Sequence, residues 1–496
     1  MREILKQVWY FIAALTGFRL IYSYFLPLIP QEAYYWYYIQ YPDWSYFDHP
    51  PMAAYSIGLG TWLFGDNFFG VKFMAVIWGA LTNLFLYLTT IAAAEHFWPQ
   101  SKERKTDLGM AALVLYNLTV FAHLYALVSV PDNPLLFFWI LTLFFFLQIL
   151  KTGQRRYWIL LGIAGGLGLL SKYTFLALPP GFFVYLLYKK DQRHWLATVY
   201  PYLATLIMIA VFAPVIYWNW QHHWASFGFQ FSQRAGSLKP FQTKYILQLL
   251  ASQLLILTPL GFVLVVRVFS RTIRKWRSDS GLVYFSLSGA FIIFGFLYIS
   301  LRSLVKMNWL LPGYLGLLAA AAVVWFAQPA FLKKRGTRFG IAFSVFLIIV
   351  MHLIQIVPNL PLGEGNTWSG WRDAAQKVYR LQLQSGGRKA SFIFANSYKS
   401  ASLLKFYLPD HQNTYAQNIY GRPALQFDIW GVPDSLTGKN GWYVFDNRRE
   451  YKNDLKYVRD YFDRVELVKK LEYTFLNRYP TRTIYIYFAE NYHGRD

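Results

Sequence analysis

Gln31–Pro51, QEAYYWYYIQYPDWSYFDHPP, separates the first long apolar run of the chain from the second. It holds the acids Glu32, Asp43 and Asp48, the histidine His49 and a Pro-Pro stop, and no Lys or Arg. Its density of Tyr and Trp resembles an interfacial belt, in which amphipathic rings sit at lipid headgroup level. Carboxylates held at a membrane boundary are costly and generally serve a site. The stretch reads as a functional outer loop of a membrane protein, with an ordinary connecting loop as the plainer alternative.

Composition agrees with a membrane setting. Of 496 residues 55% are hydrophobic and 20% aromatic, only 15% are charged, and mean hydropathy is +0.26. That is too apolar for a soluble protein of this length, so the fold class is a polytopic all-α membrane protein. The net charge of +23 lies largely in short basic runs between apolar segments, which points to membrane orientation and away from nucleic acid. With no cysteine in the chain, disulfides, thiolate nucleophiles and Cys-ligated metals are excluded. The basic-then-apolar N-terminus lacks a small-residue cleavage site and reads as a retained first membrane helix.

About eleven apolar runs are candidate spans, from Val8–Leu28 through Leu108–Val128 and Tyr245–Phe269 to Phe339–Val357, with Met52–Phe64 as an added partial helix. The basic connectors Lys102–Lys105, Lys151–Arg156, Lys189–Arg193, Arg271–Arg277 and Lys333–Arg338 then fall on one side with the N-terminus, the cytoplasmic one. Gln31–Phe69, Ser129–Pro134, Ser171-Lys172, Asn219–Lys244 and Arg302–Asn308 fall on the other, carrying Glu32, Asp48, Asp132 and the isolated cations Lys172, Arg234, Lys239, Arg302 and Lys306. Lys172, in a turn between two apolar arms, calls for an anionic partner: a bound phosphate, Asp132 or Glu32. A snorkelling lysine is the bland reading.

Past Val357 the character changes. The expected organisation is a transmembrane domain over residues 1–357 with a first outer loop at 29–69, a Pro/Gly-rich linker at 358–370, and a soluble outer α/β domain at 371–496. β-type runs stand at Ala390–Ala395, Gly441–Phe445, Val465–Val468 and Thr483–Phe488, with helical stretches at Trp371–Gln384, Ser400–Leu408 and Asp454–Phe462. No nucleotide-binding glycine loop appears in this domain.

Carboxylates and cations gathered on the outer face of an apolar bundle suit transfer of a group from a lipid phosphate. A phosphate leaving group needs cations rather than a proton donor, and a single carboxylate can serve the acceptor hydroxyl as general base. QEAYYWYYIQYPDWSYFDHPPM, LGTWLFGD, VPDNPLLFFW, GLGLLSKYTF and KMNWLLPGYL together resemble the PMT-type membrane glycosyltransferases of the GT-C superfamily. The likeness is closest to the bacterial aminoarabinose transferase-like (GT83-type) lipid A glycosyltransferases, and NSYKSASLLKFYL resembles that branch's periplasmic domain.

The resemblance implies a GT-C fold of about 11–13 transmembrane helices in the bacterial inner membrane, with a cytoplasmic N-terminus and a periplasmic C-terminal domain. It implies a polyprenyl-phosphate sugar donor, a lipid or glycolipid acceptor such as lipid A, and inversion at the anomeric carbon. The family's first-loop acidic pair falls on Gln31-Glu32, its (D/E)(H/K)PP element on Asp48–Pro51 and its second acidic loop on Asp132. Donor-phosphate contacts fall on His49, Lys172, Arg302 and Lys306, with Tyr173 and Asn308 in the same stretches.

The chain departs from the family at Gln31, where Asp is usual, and an amide cannot act as base. The role then passes to Glu32, which is favoured, or to Asp48. Otherwise the acceptor is an ionised phosphate oxygen needing no base, or activity is lost. No cofactor is implied, although Glu32, Asp48 and His49 form a donor set that could hold a divalent ion. Protein O-mannosyl transfer is the nearest alternative. A flippase or transporter is a further one, but the sequence lacks the internal symmetry that class favours.

Overall fold

The computed structural model describes residues 2–233, 240–362, 366–447 and 454–494. Arg234 and Lys239, named above, lie outside the described residues. The chain packs as two compact units: Met1–Tyr24 with His49–His352, and Phe25–Asp48 with Leu353–Asp496. Phe25–Asp48, counted above with the membrane domain, thus shares a unit with the C-terminal residues.

The first unit is helical. Among the described residues seven helices are long and apolar enough to cross a membrane, including Lys6–Phe25, Phe68–Phe97, Asp132–Thr152 and Arg335–Ile356, and Met52–Phe64, Arg156–Ser171 and Tyr173–Tyr188 are shorter apolar helices. Two expected spans are not single helices. Leu108–Val128 divides into Lys105–Asn117 and Val120–Leu124, because Thr119 leaves the helix and its hydroxyl accepts the N–H of Ala122 to start a new one. At about 1.5 Å per residue the first piece is too short to span. Tyr245–Phe269 is broken at Leu257 into Thr243–Ile256 and Thr258–Arg274, bent by 111°, with Pro259 just inside the second helix, where its missing N–H costs nothing.

A buried polar cluster holds the first helix in the bundle. Arg19, 1% exposed, donates to Asn117 Oδ1 at 3.1 Å and to the Ala122 carbonyl at 2.9 Å, while Asn117 donates to Asn83 Oδ1 at 2.6 Å. A Cβ added at Gly79 would lie 2.6 Å from Ala126 Cβ, so glycine there lets Phe68–Phe97 approach the segment leading to Asp132.

The second unit is built on a mixed five-stranded sheet, ordered β2-β1-β3-β5-β4, with β1 Ser391–Ala395, β2 Thr414–Tyr415, β3 Asn440–Asp446, β4 Phe462–Phe475 and β5 Tyr479–Tyr492. β1 runs parallel to β2 and β3, and β5 lies antiparallel between β3 and β4. The amphipathic helix Trp371–Gln384 forms where its apolar periodicity predicts. β2 has only two residues, too few to leave a pattern in the sequence.

The helix Pro30–Ile39 carries Tyr34–Tyr38, and all five rings are buried in protein. This corrects the expectation of a headgroup belt. A helix apolar all round must be covered on every side, and here the cover comes from C-terminal residues. Trp36 packs at 5.0 Å from the rings of both Phe406 and His411, Tyr34 at 4.6 Å from Tyr398, and the Tyr37 hydroxyl donates to the Thr414 carbonyl at 2.8 Å.

Lys405 closes that packing. Its ammonium sits 4.8 Å over the Tyr37 ring and donates to the His411 carbonyl and Asn413 Oδ1. Burial pushes its pKa down from 10.5 to about 8. Because the folded value lies below the unfolded one, the charged lysine opposes folding at neutral pH, and that penalty fades as pH rises from about 8 towards 10.5. The protection of β1–β3 amides relative to their intrinsic exchange rate is expected to rise over this window, until deprotonation of the buried tyrosines reverses the trend. Lys405→Met removes the slope. An unchanged slope in that variant would place the titrating group elsewhere.

Candidate active site

Three chain segments in the first unit bring Asp132, Lys172 and Asn308 together. Asp132 is the first residue of Asp132–Thr152, where a negative charge is favoured by the helix dipole. The loop before it is pinned: Asn133 Oδ1 accepts the Val130 N–H at 2.7 Å, its Nδ2 donates to the Tyr125 carbonyl, and the Ser129 hydroxyl donates to the Val71 carbonyl at 2.6 Å.

Lys172 ends Arg156–Ser171, its N–H returning to the Gly168 carbonyl at 3.1 Å, a helix end that favours a cation. The turn depends on Gly168, since any Cβ there would lie 2.3 Å from the Phe175 ring. Asn308 lies on the short turn Met307–Leu310. Gln253, 1% exposed, holds that turn by donating to the Met307 carbonyl at 3.2 Å while accepting from the Tyr314 hydroxyl at 2.9 Å.

The geometry is closed. Lys172 Nζ donates to Asp132 Oδ1 at 2.8 Å, and Asn308 Nδ2 donates to Asp132 Oδ2 at 2.8 Å. The side chains of Lys172 and Asp132 are 7% and 3% exposed. A buried ion pair of this kind is weak evidence for stability, since desolvation offsets most of the attraction, but a charged pair inside a membrane bundle marks a functional position. Each carboxylate oxygen accepts one of these hydrogen bonds, so Asp132 fixes the positions of both donors. The ammonium keeps further N–H groups, and so does the Asn308 amide.

The remaining candidates divide. Tyr173, next to Lys172, exchanges a 2.7 Å hydrogen bond with the Ser226 hydroxyl. Arg302 and Lys306 are exposed on the loop that carries Asn308, and His49 is half-buried. Lys72, 0% exposed on Phe68–Phe97, was missed by sequence reasoning. Its signal was a lone lysine inside an apolar run.

Glu32 and Asp48 belong to the second unit. Glu32, 0% exposed, accepts the Ile29 N–H at 3.0 Å through Oε2 and so helps to cap its own helix. Asp48 Oδ1 accepts the hydroxyls of Tyr34, at 3.0 Å, and Tyr38. Burial first, and then the charge of Asp48, push both phenols well above their ordinary value of 10, which keeps them protonated as donors.

Comparison with known proteins bears on the family and the fold. The family model described as dolichyl-phosphate-mannose-protein mannosyltransferase matches residues 48–218, a range that holds Asp48, His49, Asp132, Lys172 and Tyr173. The lipid A galacturonosyltransferase RgtD of Rhizobium johnstonii is 24% identical over 82% of this chain and 84% of its own length. The undecaprenyl phosphate-alpha-4-amino-4-deoxy-L-arabinose arabinosyl transferase of Pseudomonas aeruginosa is 35% identical, over 34% of this chain and 30% of its own. The crystal structure of ArnT from Cupriavidus metallidurans bound to undecaprenyl phosphate superposes with a TM-score of 0.66 at 15% identity, covering 97% of this chain and 98% of that one.

The fold is that of ArnT, and residues 48–218 match the family model, so the chain is similar to membrane glycosyltransferases of the PMT type. Within that class the chain is similar to the bacterial enzymes that modify lipid A.

Proposed function

We propose that the protein transfers a sugar from a polyprenyl-phosphate donor to an outer-leaflet lipid or glycolipid of the lipid A kind, with inversion. The observation that supports this most is the buried Asp132–Lys172 pair with Asn308 donating to it. In the proposed reaction the acceptor oxygen attacks the anomeric carbon from the face opposite the phosphate. The glycosyl C–O bond breaks, its electron pair passes to the phosphate oxygen, and the acceptor proton passes to a carboxylate.

Lys172 and Asn308, held by Asp132, direct their remaining N–H groups at the departing phosphate. Preorganised donors of this kind act where charge develops. Arg302 and Lys306 supply further positive charge from the Asn308 loop, and His49 and Tyr173 complete the donor contacts. Of the first-loop acids we assign the base to Glu32, the one carboxylate in the Gln31-Glu32 pair.

The test is turnover of a labelled polyprenyl-phosphate sugar by the purified enzyme in proteoliposomes with lipid A. Appearance of a lipid A glycoside of inverted configuration supports the reading, whereas passage of intact donor across the bilayer without transfer points to a flippase. Transfer to a protein hydroxyl in place of lipid A points to the mannosyltransferase alternative.

We place the protein in the bacterial inner membrane with its N-terminus cytoplasmic and its C-terminal domain periplasmic, a reading supported by the short basic runs between the apolar segments of the sequence. A protease-sensitive tag after Asp496 is expected to be cleaved in spheroplasts from outside. Protection there, with cleavage only after lysis, would reverse the orientation.

A further inference from the structure

The helix Thr258–Arg274 carries Arg267, Arg271 and Arg274 at helical spacing on one face, with Ser270 among them and Lys275 at its C-cap. Together with Trp325 these residues line a cavity of about 340 Å³ in the first unit, a volume within the range of small-ligand sites. Like charges so spaced oppose one another, and no lining residue is acidic. Among the described residues no carboxylate lies within ion-pair distance of Arg267, Arg271, Arg274 or Lys275. Asp279, the nearest acid along the chain, accepts the Leu282 N–H at 3.1 Å and lies 3.5 Å from Trp98 Nε1.

The guanidinium groups are placed. Arg271 is half-buried and lies 5.6 Å over the Trp325 ring. Its Nε is buried, while its terminal nitrogens, which hydrogen-bond to no described residue, stay accessible. Arg274 donates to the Ser270 hydroxyl at 2.7 Å and keeps further N–H groups. An exposed basic fringe is enough to orient a membrane protein, and it needs neither a cavity nor an arginine laid on tryptophan. A helix C-terminus favours cations only in its last turn, and Arg267 stands about two turns before the end.

The neighbouring surface decides between a free anion and a lipid. Val263, one turn before Arg267, and Val266 are 44% and 51% exposed, so apolar surface runs up to the cations along a helix that belongs to a bent candidate span. A headgroup and an acyl chain match that order, and basic pockets between membrane helices recognise anionic headgroups. A free phosphate would use the cations alone.

We propose that this cavity binds the phosphate of an anionic phospholipid through Arg271 and Arg274, with Arg267 and Lys275 beside it and an acyl chain along Val263 and Val266. None of these residues belongs to the Asp132–Lys172 pair, so the site is separate from sugar transfer.

The test is native mass spectrometry of the full chain in detergent, titrated with phosphatidylglycerol and with phosphatidylcholine. One phosphatidylglycerol is expected to bind at least about tenfold more tightly than phosphatidylcholine. Arg267→Gln/Arg274→Gln changes two exposed side chains and leaves Arg271 on its ring. It is expected to raise the Kd for phosphatidylglycerol about thirtyfold, at about fivefold for each cation near a lipid headgroup. Arg155→Gln/Arg156→Gln, which removes the same charge from another basic connector, is expected to leave that Kd unchanged. Equal binding of the two lipids, an unchanged Kd in the first double variant, or an equal loss in the second would each overturn the proposal. Displacement of the lipid by an equimolar amount of inorganic phosphate would assign the site to the free anion and overturn it as well.

Discussion

Lys172→Met is expected to lower kcat for sugar transfer by about a hundredfold to a thousandfold, the usual loss when one preorganised donor to a developing oxyanion is removed. It is also expected to destabilise the enzyme by about 3–5 kcal/mol, because it strands a buried carboxylate. Asp132 is 2% exposed and its Oδ1 lies 2.8 Å from the ammonium. Asp132→Asn strands the lysine in the same way.

The double variant Asp132→Asn/Lys172→Met leaves no uncompensated charge. It is expected to recover most of the stability and none of the activity. Thermal unfolding and single-turnover transfer on the four proteins separate the two effects. Recovery of transfer together with stability would reduce the pair to a structural element.

Glu32→Gln has the second large expected effect, a fall in kcat of about 10² to 10⁴, the usual contribution of a general base. The substitution keeps an oxygen that can accept the Ile29 N–H, now 3.0 Å from Oε2, so the helix Pro30–Ile39 stays capped while the proton acceptor is lost. Full turnover in this variant would mean that the acceptor oxygen arrives already ionised, as a phosphate oxygen does, and that the glutamate only caps its helix.

How much of this was legible in the sequence depends on the range of the interaction. The helix Met52–Phe64 and the helix Trp371–Gln384 have the bounds their apolar patterns predict, because periodicity is local. Lys172 needed an anionic partner by the cost of burying it, and Asp132 stood among the candidates. Selecting it takes a contact across 40 residues, and the Asn308 contact crosses 176. No local pattern carries such pairings.

The rings of Tyr34–Tyr38 misled for a related reason. Amphipathic aromatics suit a membrane interface and a protein core alike, and the cover supplied by Tyr398, Phe406 and His411 lies far along the chain. The break at Leu118-Thr119 was hidden by a mostly apolar run, although Asn117 and Thr119 interrupt it and Thr119 is a good helix-starting residue.

The central claim is that Lys172 and Asn308, held by Asp132, grip the lipid phosphate as the sugar leaves. It is tested most directly by measuring binding of sugar-free polyprenyl phosphate to the purified protein and to Lys172→Met and Asn308→Ala. Both variants are expected to bind the lipid phosphate at least about tenfold more weakly, as loss of a charge-assisted donor implies, while keeping the same affinity for the uncharged polyprenol. Equal affinity of wild type and both variants for the phosphate would contradict the account.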